Sequence, residues 1–89
     1  MAVLLVTYDL KSPGQKHSKL LDAIKEYPWA RLSESSYAIK TVETPSTVFN
    51  VLKSHIDDND NLYIVTVTRP YTGYGPQDVN DWLDNSLPS

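Results

Sequence analysis

The run Val3-Leu4-Leu5-Val6-Thr7-Tyr8-Asp9 constrains this chain more than any other stretch. Apolar residues occupy both of its alternating sets, so a strand made from it has no face suited to water and belongs inside a sheet covered on both sides. It ends on an aromatic residue and an acid. A carboxylate at the carboxyl end of a central strand stands at the sheet edge where ligands and metals commonly meet a fold.

A helix is predicted directly after that strand. Ser12 reads as its N-cap and Pro13 as its first helical residue, and Leu20, Leu21 and Ile24 then place one apolar stripe on a helix running to about Glu26. Pro28 stops it. Trp29–Ser33 and Ser36–Lys40 read as two short strands joined by a tight polar turn at Glu34-Ser35. Thr44-Pro45 repeats the cap-plus-proline signal, and Val48, Phe49, Leu52 and Ile56 supply a second apolar stripe at helical spacing. The acidic turn Asp57-Asp58-Asn59-Asp60-Asn61 leads into a β-branched last strand, 62–68. A loop rich in tyrosine and glycine follows, and Val79, Trp82, Leu83 and Leu87 mark a short third helix.

Two βαβ crossovers joined by a hairpin predict an α+β, ferredoxin-like βαββαβ domain. Its four-stranded antiparallel sheet carries two helices on one face, with a short C-terminal helix appended. The whole chain, 1–89, reads as this single domain, with a core of 2–68 and a C-terminal loop and helix of 69–89. The first and last strands carry apolar residues on both alternating sets, so the second sheet face also needs a cover. The C-terminal helix with Trp82 is one candidate. A second copy is the other, and a homodimer through the open sheet face is the expected partner arrangement.

The chain has 89 residues, 40% of them hydrophobic, and a formal charge of −3. Charge is unevenly spread: seven Lys/Arg stand against five Asp/Glu up to Lys53, and beyond it Arg69 alone stands against six acids. Lys11, Lys16, His17 and Lys19 gather at the start of the first helix but fall short of the basic stripe of a dedicated DNA binder. The absence of cysteine excludes a disulfide framework, a thiolate metal site and a thiol nucleophile, and fits a cytoplasmic location. No apolar run approaches the roughly 18 residues that span a bilayer, and no secretory h-region is seen, so no membrane association is expected.

The sheet order usual for this topology puts the first strand between the third and fourth, antiparallel to both. Asp9 then faces Ser35-Ser36 and Asp60-Asn61. Hard oxygen ligands without His or Cys suit Mg²⁺ or Mn²⁺, so Asp9 and Asp60 are the candidate metal ligands and Asp9 the candidate catalytic acid. Tyr8, Ser12, Lys16, Ser33 and Ser35 are candidate binding residues around them. His17 is close enough to act as a base, although a lone His on an amphipathic helix reads as a surface residue, and His55 reads as a cation at a helix end. Asp58-Asn59-Asp60 is no calcium loop, for lack of the sixth-position glycine and the twelfth-position glutamate. Ser12-Pro13-Gly14-Gln15 lacks the residues of a P-loop and reads as a helix cap. Tyr71 and Tyr74, in a glycine-flanked loop, either stack a ligand or pack against Trp82.

A first strand ending in Tyr8-Asp9-Leu10 within so short a βαββαβ chain resembles the CRISPR-associated protein two family, the small subunit of the spacer-adaptation complex. Leu32-Ser33-Glu34-Ser35-Ser36-Tyr37-Ala38-Ile39 resembles that family's junction between strands two and three, and Asp60-Asn61-Leu62-Tyr63-Ile64-Val65 its entry into strand four. The likeness covers roughly residues 2 to 68, and the chain is also similar to small bacterial proteins called SinR-like. The resemblance implies a symmetric dimer in which the strand-one acid, here Asp9, faces its mate and shares one divalent metal for phosphodiester cleavage. It further implies that Tyr8 packs beside Asp9, that Ser33 and Ser35 line the site, and that nucleic acid lies across basic edges. Many members serve as scaffolds. Gly14-Gln15-Lys16-His17-Ser18-Lys19 stands where such proteins carry early arginines, which weakens phosphate affinity. Two functions stay open: a nucleic-acid binder or Mg²⁺-dependent endonuclease, and a non-catalytic ferredoxin-like dimer that binds a protein or small ligand.

Overall fold

The computed structural model describes residues 1–11 and 14–88, with Gln15 given by its backbone alone. The opening apolar run forms strand β1 (Ala2–Asp9), and helix α1 (Gly14–Ile24) follows. Strands β2 (Trp29–Ser33) and β3 (Ser36–Thr41) form the hairpin. Helix α2 (Pro45–Leu52) continues as a single 3₁₀ turn over Lys53–His55, and strand β4 (Asn61–Val67) and helix α3 (Gln77–Ser86) complete the chain. The strands make one antiparallel sheet in the order β2-β3-β1-β4. This α+β architecture, an open four-stranded sheet with three helices, fits the arrangement expected from the sequence. None of its helices is long and apolar enough to cross a membrane among the described residues.

Burial explains the layering. Leu4, Val6 and Tyr8 point from β1 toward one face and meet Leu20 and Ile24 of α1, Val48 and Leu52 of α2, and Tyr37 and Ile39 of β3. Val3 and Ala38 point the other way and meet Leu83 and Leu87, so α3 covers part of the second face. Arg69 holds the end of α3 in place: its guanidinium donates to the Asp84 carbonyl at 2.7 Å and its Nε to the Pro88 carbonyl at 3.0 Å. Carbonyls at a helix end lack intrahelical partners, and a cation suits the negative pole there. The only base of the acidic C-terminal third is therefore a structural clamp.

Some boundaries shift from the sequence reading. Helix α1 ends at Ile24, two residues early, because the Glu26 and Tyr27 amides turn back to the Ala23 and Ile24 carbonyls at 3.3 and 3.2 Å and tighten the last turn. At α2 the Thr44 cap forms as read, its Oγ1 accepting from the Thr47 amide at 3.2 Å. Val48 and Leu52 are buried there, but Phe49 lies a third of a turn round and is 37% exposed, and Ile56 packs on the core from beyond the helix.

Strand β4 does not follow the two-sided burial expected of it. Leu62 is buried, whereas Tyr63 and Val65 on the opposite face are 65% and 51% exposed. Helix α3 has ten residues, a rod of about 15 Å, and reaches Val3, Ala38 and Val67 but not the far half of β4. Leu52→Ala is thus expected to cost about 2–5 kcal/mol, from lost burial plus a cavity. Val42→Ala, at a site 79% exposed, is expected to change stability by less than about 0.5 kcal/mol. Urea unfolding of the two variants measures both.

Candidate functional site

The carboxyl end of β1 opens into a cleft of about 300 Å³ lined by Tyr8, Asp9, Leu10, His17, Glu34 and Ser35. Sheet register builds it: Thr7 lies opposite Ser36 and the Tyr8 amide bonds the Ser35 carbonyl at 3.0 Å, so the β2–β3 turn sits against the strand end. Thr7 and Ser36 also join through their hydroxyls at 3.1 Å. On the other side Asp9 lies opposite Asn61 of β4. The Asp9 carboxylate is exposed, with the Lys11 ammonium 3.8 Å away.

Tyr8 fixes the cleft's polar wall. Its hydroxyl lies 3.2 Å from the Glu34 carbonyl and 3.0 Å from Nε2 of His17. A carbonyl only accepts, so the hydroxyl proton goes to Glu34 and His17 Nε2 carries its own proton, which it donates to the Tyr8 oxygen. Burial pushes the Tyr8 phenol above its ordinary pKa, with the neighbouring Tyr37 adding to the rise, so it stays a neutral donor. His17 is thereby engaged through Nε2, and Nδ1 is its remaining acceptor.

Asp60 has a different role from the one its position in the sequence implies. Its side chain has no solvent exposure. One oxygen accepts from the Lys11 amide at 2.9 Å, and the other from the Asp57 amide at 2.8 Å and the Lys16 ammonium at 3.0 Å. The two backbone amides, and then Lys16, hold the carboxyl well below its usual range, at about 2. Lys16 also bonds Asp57, and its pKa is raised by these two carboxylates. Both groups are thus committed to joining the strand-one exit, α1 and the turn before β4. They do not line the cleft.

The remaining candidates scatter. Ser35 lines the cleft, while Ser33 is exposed at the end of β2, where its carbonyl accepts from Arg31 Nε at 3.2 Å. Ser12 lies outside the described residues. Tyr71 is half-buried against the α3 side of the sheet, near Trp82, and bonds Asp84, whereas Tyr74 is fully exposed. Glu34 was legible only as a turn residue, and the hydrogen bond of His17 to Tyr8 had no signal in sequence spacing, since it depends on how α1 crosses the sheet. Among the described residues no three His, Cys, Asp or Glu side chains converge closely enough to hold a metal ion. Comparisons of the chain with family profiles, curated proteins and solved structures returned no match.

Asp60 supplies a pH signature. Its folded pKa is depressed, so the stability it gives is present above the unfolded value of 3.8 and is lost as pH falls toward about 2. Asp60→Asn is expected to flatten the acid limb of the stability profile between these values and to lower the unfolding midpoint at pH 7 by about 5 °C or more. Thermal melts of both proteins from pH 2 to pH 7 measure this.

Proposed function

We propose that this is a small ferredoxin-like protein that acts on the phosphodiester backbone of nucleic acid at the cleft closing the end of β1. The observation that carries the reading is the exposed Asp9 carboxylate beside an oriented Tyr8–His17 pair. The resemblance of Tyr8-Asp9-Leu10 to the strand end of CRISPR-associated protein two supports the same assignment. A hard divalent ion needs only one or two carboxylates and fills its other positions with water, so Asp9 fits as a ligand for Mg²⁺ or Mn²⁺ and Glu34 is the nearest second acid of the cleft. Asp60 does not fit, because its oxygens are already taken. Such an ion would supply an activated water.

The protein groups have separate tasks in this reading. Asp9 would hold the divalent ion at the cleft. Tyr8 and Ser35 border the phosphate, and His17, held by Tyr8 through Nε2, keeps Nδ1 as the acceptor for a proton of the reacting groups. Hydrolysis adds the water oxygen to phosphorus, breaks one ester P–O bond and returns a proton to the leaving oxygen. The protein works as a homodimer, for which the exposed Leu32, Tyr63 and Val65 and the half-buried Leu5 of the second sheet face provide the surface.

A specific observation favours a second reading, a non-catalytic binding module. Lys16 is neutralised by Asp57 and Asp60, and Lys11 approaches Asp9, so the basic cluster of helix one is largely spent within the chain. Labelled RNA and DNA incubated with wild type and Asp9→Ala, with Mg²⁺ or Mn²⁺ and with chelator, separates the two. The nuclease reading expects metal-dependent cutting that Asp9→Ala reduces at least about 10²-fold. No cutting, together with no low-salt binding that weakens as salt rises, leaves the binding module.

A further inference from the structure

A second groove, of about 550 Å³, lies between β2 and the start of α3, and Trp29, Arg31, Asp78 and Trp82 line it. Its size falls in the range of about 300–1,000 Å³ usual for small-molecule sites. Both tryptophans of the chain are here. Trp82 packs on the sheet and is half-buried. Trp29 is 40% exposed, yet the Lys25 ammonium sits 4.7 Å from its ring centroid and the Tyr37 ring meets it tilted at 5.8 Å. Indoles that are braced from behind and open on one side make platforms on which a flat π-system stacks.

The two charges of the groove do not neutralise each other. No ion pair joins Arg31 to Asp78 among the described residues, whereas Lys11, Lys16 and Arg69 all meet acids. Arg31 Nε donates to the Ser33 carbonyl at 3.2 Å, which orients the guanidinium and leaves its terminal amines without a partner among the described residues. One oxygen of Asp78 accepts from the Val79 amide at 3.0 Å, and the other is unengaged.

We infer that this groove is a subsite for a guanine nucleotide, with the base on the indoles, the base edge on Asp78 and the phosphate on Arg31. An ionised carboxylate only accepts hydrogen bonds, so it selects a base edge made of donors. Guanine alone among the common bases sets two donors side by side, N1–H and the N2 amino group. The guanidinium fork matches a phosphate in the same way, and the opposite charges give the ligand one direction in the groove. The nucleotide has two possible sources, a free nucleotide and a base of a single strand. Arg31 stands three residues, about 10 Å, before Glu34 of the Asp9 cleft, so a strand held at that cleft reaches the groove. The strand source rests on the nucleic-acid reading above, and the free nucleotide does not.

Titration of the full chain with GMP, AMP, guanosine and a short single strand carrying one guanine tests the subsite. Indole fluorescence, excited at the red edge of its band, reports on the groove because both tryptophans line it. Chelator is present throughout, so that metal-dependent cutting is off. GMP is expected to quench saturably with a Kd of about 1 mM or lower, and to bind at least about tenfold tighter than AMP. Asp78→Asn is expected to remove the preference for GMP over AMP. Arg31→Gln is expected to weaken both nucleotides about fivefold or more and to leave guanosine unchanged. Circular dichroism confirms that each variant is folded. Whichever of GMP and the strand binds tighter identifies the source, and either order supports the subsite. Absence of saturable quenching by both ligands up to about 10 mM overturns it, as does equal binding of GMP and AMP that ignores Asp78→Asn. The cleavage assay reads Asp9 and the metal, so the cleft and the groove fail separately.

Discussion

Burial of both faces of β1 is the constraint from which the rest of this structure follows. Val3 and Val6 are fully buried and Leu4 nearly so, although their side chains leave the strand in opposite directions. Helices α1 and α2 close one side, where Leu20, Ile24, Val48 and Leu52 supply the matching apolar stripes. The other side would be left open by a βαββαβ unit. It is closed over part of its length by α3, which has little to hold it beyond Leu83, Leu87 and their neighbours, and so needs the Arg69 clamp at its end. Small domains bury a low fraction of their surface, and here a third helix raises that fraction where the central strand most requires it.

The polar counterpart of that core is Asp60. A buried carboxylate is tolerated when its lone pairs are met, and three donors from three separate segments meet these. Lys11, Lys16 and Asp57 are thereby tied to the start of β4, which sets the position of the strand-one exit and so the wall of the Asp9 cleft. The arrangement also changes the electrostatics of the amino-terminal half. What looks in the sequence like a basic cluster facing solvent is, at Lys16, half of an internal network.

The polar groups of the cleft and the exposed apolar residues lie in two regions that share β1. The cleft at its carboxyl end gathers the groups with chemistry, namely Asp9, His17, Glu34 and the Tyr8 hydroxyl. The neighbouring strand β4 presents the uncharged, unbroken edge and the exposed Tyr63 and Val65. The single base of the acidic C-terminal third, Arg69, is engaged by the end of α3.

The sequence by itself determined the elements and their order. Periodicity, the Thr44-Pro45 cap and the Glu34-Ser35 turn are local signals, so β1, the β2–β3 hairpin, α2 and α3 were legible from their residues, and the sheet order followed from chain topology. The end of α1 was less legible, since its last turn tightens through backbone bonds that no side chain announces. Only the tertiary structure decided which polar groups are spent and which are presented. Asp9 and Asp60 are both acids at one edge of the sheet, yet one is exposed and the other sealed by three donors. Tyr63 and Val65 read as buried as Leu5 does, yet α3 is too short to reach them. Side-chain exposure depends on what crosses above a residue, and that is set by contacts between segments distant in the chain, where local patterning carries no information.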